Sequence, residues 1–185
     1  MSDKNIRIPP SSAVGLISSL VYSALNTSKE HLLRPANPEW IDEAGALLVR
    51  ECLSSSFNQK AVLQQLMEQG FKHDTIVDYC IPLAATKLGE SWVNDTLSFS
   101  EATVGSANLQ ILLKLIAENR EIGFESSNGK RFLICVHESE QHTLGALVMG
   151  DMLRRQGHSL KIKLDAKLSE ICNLQDSNDY DAIFF

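Results

Sequence analysis

The sequence predicts a helical region followed by an α/β domain with a parallel sheet, and three observations support this fold class. Four segments between residues 37 and 120 repeat apolar residues at helical spacing. An unbroken apolar run over residues 132 to 136 leads through a polar loop into another helical pattern, which ends at Gly157. Residues 158 to 164 then alternate like a strand. Strand, helix and strand in this order open a doubly wound α/β domain.

The composition fits a protein that does not bind nucleic acid directly. The 185 residues are 44% hydrophobic, which is enough for one sizeable core or two small ones. The net charge is −6, and no basic run exceeds a pair such as Arg154-Arg155, so a phosphate backbone would meet no basic surface. A regulator of this charge is expected to act through another protein.

The chain is also expected to be cytoplasmic, with no membrane contact. No apolar run approaches the roughly 20 residues that a membrane helix needs. The four cysteines stand singly, which is typical of reduced thiols and not of a zinc or dithiol site. No motif for a catalytic nucleophile, an acid pair or a phosphate-binding loop occurs in the sequence, so we expect a binding protein and not an enzyme.

The first part of the chain predicts an N-terminal extension and then two helices. The extension, residues 1 to 36, contains one amphipathic helical pattern. Asn37 followed by Pro38 predicts the N-cap and first position of a helix that runs to about residue 54. A second helix is predicted over residues 58 to 69, before Gly70.

Two further helices complete the helical region. The third is predicted over residues 73 to 93, and Pro82 inside it predicts a break or a kink. The fourth begins at a capping signal, Ser98 with Glu101 three residues later, and runs to residue 120. Four helices joined by short loops predict an antiparallel four-helix bundle over residues 37 to 120.

The rest of the chain predicts a linker and an incomplete α/β domain. Residues 121 to 130 are hydrophilic and predict a hinge, so the α/β domain is assigned to residues 131 to 185. A short helix over residues 168 to 174 and a third strand over residues 180 to 185 follow the second strand. A doubly wound sheet has more strands than three, so we expect the domain to be truncated after the third strand.

The polar loop after the first strand is the candidate binding site. Ligands of doubly wound sheets bind at the carboxyl ends of the strands, and the loop at this end contains Glu140 and His142. A neutral imidazole is a good ligand for cobalt or iron when its other nitrogen is hydrogen-bonded, and Glu140 is the natural partner. The spacing alone is equally compatible with an exposed loop histidine that binds nothing.

These residues resemble a known family. The pattern E-x-H-x-x-G resembles the D-x-H-x-x-G signature of cobalamin-binding, Rossmann-like (flavodoxin-like) domains, and the helices before it look like the four-helix cap of those proteins. More narrowly, residues 98 to 110 and 141 to 145 resemble the AerR/PpaA antirepressors of photosynthesis genes in purple bacteria. The resemblance covers roughly residues 38 to 185, with residues 37 to 120 as the cap and 131 to 185 as a partial cobalamin-binding domain.

The resemblance implies cobalamin as the cofactor and the loop as its lower binding site. His142 would be the lower axial cobalt ligand, and Glu140 would orient its ring. In the family the position of Glu140 is usually aspartate. Thr143 and Gly145 of the same loop would also bind the cofactor, although the glycine alone is equally compatible with a plain turn.

The cap would supply Trp92 and Phe99 to the upper side of the corrin ring. In light-responsive cobalamin proteins a glutamate-histidine pair follows on the next helix, whereas this sequence has Ala102-Thr103. The upper pocket is therefore expected to be more open and to favour a cobalamin with a small or photolysed upper ligand. From the residues alone, Trp92 fits the core of the bundle equally well.

The function implied by the resemblance is regulation of photosynthesis genes by a light- or ligand-responsive photoreceptor. The protein would act as an antirepressor through contact with a PpsR/CrtJ-type transcriptional repressor. One alternative is a corrinoid carrier protein of a methyltransferase system, which has the same bundle and histidine loop. A second alternative is a haem-binding redox sensor that uses His142, His137 or Cys135. The oligomeric state stays open.

Overall fold

Helices precede a small parallel sheet in the computed structural model, which describes residues 37–119, 129–140, 142–167, 169–170 and 179–185. The predicted order of a helical part followed by an α/β part is confirmed. The predicted amphipathic helix within residues 1 to 36 lies outside the described residues, as do most of the predicted linker and of the short helix over 168 to 174.

The first two helices begin at asparagine caps. Helix α1 is Pro38–Cys52, and the Asn37 side chain accepts a hydrogen bond from the backbone N–H of Glu39 at 3.1 Å. Helix α2 is Gln59–Glu68, capped in the same way by Asn58. Both predicted helices are confirmed. Each begins where it does because the capping residue satisfies backbone donors that the helix itself leaves unpaired.

The third helical stretch contains a π-helical turn. Helix α3 is His73–Thr75, the π segment is Ile76–Cys80, and helix α4 is Ile81–Val93. Pro82 has no N–H to donate to the carbonyl of Asp78, four residues earlier. The wider π turn ends two residues before this proline, so the predicted break or kink is a change of helix type within a continuous helical stretch.

Helix α5, Phe99–Glu118, begins with the predicted capping box. The Glu101 N–H donates to Ser98 Oγ at 3.2 Å, and the Ser98 N–H donates to a Glu101 carboxylate oxygen at 2.8 Å. Further along, Gly105 lets α5 approach α4 closely, since a Cβ at this position would lie 2.9 Å from Leu88 Cδ1. Gly105 thus serves the close packing of α5 against α4.

Helices α1, α2, α4 and α5 and the π segment share one apolar core, which positions α5 against its neighbours. The fully buried large side chains of this core are Leu48, Leu66, Ile76, Ile81, Leu109, Leu112 and Ile116. Among the described helices, none is long and apolar enough to cross a membrane.

The α/β part has three parallel strands in the order β2-β1-β3. Strand β1 is Arg131–His137, β2 is Ser159–Ala166 and β3 is Ala182–Phe184. The four residues from Leu133 to Val136 are all buried, so β1 is covered on both faces, as a central parallel strand requires.

Helix α6, Leu144–Arg155, connects β1 to β2 and lies between the sheet and the helical part. On one side Leu144 joins the core of the helical part. On the other side Gly150 faces β2 so closely that a Cβ would lie 2.7 Å from Ile162 Cδ1. The loop before α6 is therefore placed where the two parts meet.

Candidate functional site

The loop at the carboxyl end of β1 presents an exposed histidine that one carboxylate orients. A carboxylate oxygen of Glu140 lies 2.6 Å from His142 Nδ1 and accepts a second hydrogen bond from the His142 backbone N–H at 2.7 Å. An ionised carboxylate can only accept, so Nδ1 donates this bond, and in the neutral imidazole Nε2 then keeps its lone pair. The His142 side chain is 89% exposed. The ring is thus fixed in the tautomer that binds a metal through Nε2.

Thr143 ties this loop to the helical part. The side-chain amide of Gln110 on α5 donates to Thr143 Oγ1 at 3.2 Å. Thr143 is the residue directly before α6, and its side chain makes no capping hydrogen bond to that helix. Its hydroxyl therefore serves contact with α5 and not the start of α6.

Gly145 stands where neither backbone conformation nor packing requires a glycine. Its φ is not in the left-handed region, unlike those of Gly70 and Gly157. A Cβ at Gly145 would meet no atom within 4 Å. The space beside the second residue of α6 is therefore open.

Trp92 and Phe99 form an exposed pair of rings at the junction of α4 and α5. Their ring centroids are 6.0 Å apart with an interplanar angle of 63°. Trp92 is 45% exposed and Phe99 is 68% exposed, so neither ring belongs to the core of the helical part. The alternative that Trp92 is ordinary core of the bundle is wrong, and the pair forms an apolar surface of the kind that marks binding sites.

The predicted site residues thus fall into two groups along α5. Glu140 and His142 are in direct contact, and Thr143 is bonded to Gln110. Phe99 is the first residue of α5, eleven residues before Gln110, so the aromatic pair lies about 16 Å away along the helix axis. The described structure does not place the aromatic rings against His142.

Sequence reasoning missed Gln110 as a site residue. Its partner Thr143 lies 33 positions away, and a polar residue between Leu109 and Ile111 gives no other local signal. It also missed a group of charges around Arg155. The sequence signal for this group of charges was Asp78, a charged residue inside the apolar stretch from Ile76 to Ile81.

The alternative iron ligands differ in accessibility. His137, the last residue of β1, is exposed, and its Nδ1 accepts from the Ser139 backbone N–H at 3.2 Å. Cys135 is only 4% exposed, and burial raises the pKa of its thiol. Because the thiolate is the metal-binding form, Cys135 is a poor iron ligand, whereas both histidines are accessible.

A groove of about 770 Å³ lies elsewhere, between α2 and the end of α5. It contains none of the predicted site residues and is open to solvent. Its lining is Gln59, Lys60, Leu63, Gln64, Met67, Glu68, Leu115, Glu118 and Asn119. Within the described ranges, no three histidine, cysteine or acidic side chains are grouped so that they could hold a metal ion by themselves.

No family model matches the chain. The chain is similar to an uncharacterized 20.5 kDa protein in the bchF-crtJ intergenic region of Rhodobacter capsulatus, with 33% identity over 112 residues. The match covers 59% of this chain and 57% of that protein, so the chain spans little more than half the length of the curated relative.

Proposed function

We propose that this chain is a cobalamin-binding regulatory protein of the AerR/PpaA type. The observation that carries the proposal is the exposed imidazole of His142, whose Nδ1 is held 2.6 Å from the Glu140 carboxylate. This arrangement leaves one nitrogen, Nε2, ready to bind a metal.

The donor set fits cobalamin. When bound, this cofactor supplies a cobalt centre that already has its ring nitrogens and takes one further nitrogen from the protein. His142 would provide that nitrogen and Glu140 would hold the ring in place. The open space beside Gly145 would let the cofactor approach the loop closely. Trp92 and Phe99 lie farther away, near the start of α5, so a role for them at the opposite side of the ring would require the helical part to move toward the loop.

The fold supports the same proposal. The strand order β2-β1-β3 is the order in which flavodoxin-like, doubly wound sheets begin, and such sheets bind ligands outside the carboxyl ends of their strands. The His142 loop lies at that end of β1. The preceding helices would form the four-helix cap, and the hydrogen bond from Gln110 already brings α5 to the loop.

The proposed role is that of an antirepressor, and it is supported by the location of the similar protein. That relative lies in the bchF-crtJ intergenic region. This location agrees with the PpsR/CrtJ-type repressor that the family resemblance implies as partner. The net charge of −6 favours contact with a protein over contact with DNA. We infer a non-enzymatic, cytoplasmic regulator. Cobalamin or light would shift the populations of its conformations and so change the surface that the repressor recognises.

Binding of cobalamin is tested directly by colour. The full chain is mixed with hydroxocobalamin or adenosylcobalamin, in the dark and after illumination, then desalted, and its visible spectrum is recorded. We expect retention with a histidine-ligated spectrum in the wild type and loss in His142→Ala. His137→Ala is the matched control, because it removes another exposed histidine from the same end of β1, and it should retain the cofactor.

A colourless wild-type protein would refute the cobalamin proposal. A Soret band after parallel incubation with haemin would then favour the haem-sensor alternative. Methyl transfer from bound methylcobalamin to a thiol would instead favour the corrinoid carrier. For the regulatory role, titration of a PpsR/CrtJ-type repressor with the cobalamin-loaded protein should give an affinity that differs from that of the ligand-free protein.

A further inference from the structure

Helix α6 is attached to the helical part at both of its ends, and the two attachments differ in kind. At its carboxyl end Arg155 pairs with the Asp78 carboxylate on the π segment. The same guanidinium lies 3.0 Å from an Asp151 oxygen and 3.7 Å from an Asp74 oxygen. The Asp78 and Asp151 side chains are only 8% exposed. Charged groups held together in such a buried place fix this end of α6.

At its amino end the described polar contact to the helical part is neutral. The amide of Gln110 donates to Thr143 Oγ1 at 3.2 Å, in a partly buried place. A neutral hydrogen bond is weaker than a charge-assisted one and is more easily exchanged for water. Of the two polar attachments of α6, the one that adjoins His142 is therefore the more easily broken.

The covalent path from this contact to the metal-binding nitrogen is short. Thr143 follows His142 directly, and the His142 backbone N–H is held by the Glu140 carboxylate. A shift of Thr143 must therefore be taken up by the residue that carries the exposed imidazole. In the other direction, Gln110 lies on the same helix as Phe99, whose ring is exposed at the start of α5.

We propose that Gln110 is a positioning residue, whose hydrogen bond to Thr143 sets the placement of His142 and couples occupancy of the His142 loop to helix α5. In its link to cobalamin this inference rests on the proposed function. Coupling is reciprocal, so a ligand that moves the loop changes α5, and a partner that holds α5 changes the affinity of the loop. Helix α5 would thus carry the state of the loop to the surface around Phe99.

A merely structural role for Gln110 predicts that Gln110→Ala lowers the thermal unfolding temperature, whereas a positioning role does not. Leu144, 7% exposed, already anchors the start of α6 in the core of the helical part. Gln110→Ala should therefore leave the thermal unfolding temperature close to that of the wild type. Its effect should appear at His142 and not in global stability.

The test uses a double-mutant cycle of Gln110→Ala and Thr143→Val in the full chain. Thr143→Val keeps the shape of the side chain and removes the hydroxyl that accepts the bond from Gln110. Gln64→Ala is the matched control, since it also removes a glutamine hydrogen bond, that to Glu68 at 2.9 Å, from an exposed helical surface.

Two measurements are made on each variant. The first is the NMR signal of the His142 imidazole in the ligand-free chain, which should shift in both single variants and no further in the double variant. The second is the dissociation constant for hydroxocobalamin. Loss of one neutral hydrogen bond should raise it by about 2- to 10-fold in either single variant, again with no further increase in the double variant.

The outcomes separate this inference from the proposed function. If the wild type binds hydroxocobalamin but Gln110→Ala matches Gln64→Ala in both measurements, the positioning role is refuted and the proposed function stands. If the wild type binds no hydroxocobalamin, the proposed function fails. The NMR signals of the His142 imidazole alone then decide whether Gln110 is a positioning residue. Non-additive shifts would then support the positioning role, and absent or additive shifts would overturn it.

Discussion

Glu140 fixes the one side chain on which the candidate site depends. Its carboxylate accepts hydrogen bonds from both the backbone N–H and Nδ1 of His142, so one carboxylate holds both the imidazole ring and the loop backbone. Loss of such an orienting partner commonly lowers metal affinity by about 10- to 100-fold. We expect Glu140→Ala to weaken hydroxocobalamin binding by that factor, measured by spectroscopic titration. Glu138→Ala, a change to the preceding exposed glutamate, should have no effect. Equal affinities for the two variants would contradict the orienting role.

Gly145 gives a second prediction at the scale of a single residue. Because a Cβ here meets no atom and alanine favours helix by about 0.5–1 kcal/mol, Gly145→Ala should unfold at the same temperature as the wild type or higher. Retention of cobalamin should fall, since the methyl group occupies the space beside the loop. Gly89→Ala on α4 is the control, because its Cβ also meets nothing. Unchanged retention in Gly145→Ala would show that cofactor binding does not need the open space at this position.

Sequence reasoning reached local contacts of the site and missed distant ones. The pairing of Glu140 with His142 was predictable because two residues of one loop are always close. The bond from Gln110 to Thr143 was not, since it depends on how α6 packs against α5. The burial of Cys135 was likewise set by the central position of β1 in the sheet, which a single strand pattern does not reveal.

At the scale of elements, the capping box decides where α5 begins and so where Phe99 stands. Ser98→Ala removes the acceptor for the Glu101 N–H and should cost about 1 kcal/mol of stability. Hydrogen bonds from Ser98 hold the pKa of Glu101 below its ordinary 4.5. A lowered carboxyl pKa stabilises the fold above the ordinary value, and this contribution is lost as the pH falls through the folded-state pKa.

The difference in stability between wild type and Ser98→Ala should therefore be larger at neutral pH than in acid. Urea unfolding at both pH values measures it. Ser100→Ala, a change to an exposed serine just inside the same helix, is the control and should show little pH-dependent difference. A constant difference for Ser98→Ala across the pH range would show that the carboxylate takes no part in the cap.

The helix type of the π segment could not be predicted from the local sequence alone. Pro82 predicted an irregularity, but a kink, a break and a π turn are all compatible with the backbone N–H that proline lacks. The observed turn brings Asp78 to Arg155, a residue 77 positions later in the chain. Helix bounds, by contrast, followed from the caps at Asn37 and Ser98, which act on their own neighbours.

At the scale of the whole molecule, Arg155 links the α/β part to the helical part. The guanidinium faces Asp78, Asp151 and Asp74, so its positive charge separates three carboxylates. Arg155→Met would remove this positive charge from beside the two buried carboxylates, Asp78 and Asp151. Breaking a buried pair in this way typically costs about 3–5 kcal/mol. We expect a loss of this size in the free energy of unfolding at neutral pH, measured by urea titration.

The loss should depend on pH in a direction set by Asp78. Burial raises the pKa of Asp78 above its ordinary 3.8, and Arg155 opposes that rise. Without Arg155 the pKa should rise further, so the folded variant binds a proton that the unfolded chain has released. Stability then falls as the pH rises from the ordinary carboxyl value to the raised one. Arg155→Met should accordingly recover part of its stability in acid, whereas Arg154→Met, a change to the exposed neighbour, should follow the wild type. A pH-independent loss in Arg155→Met would instead assign the effect to packing of the arginine side chain.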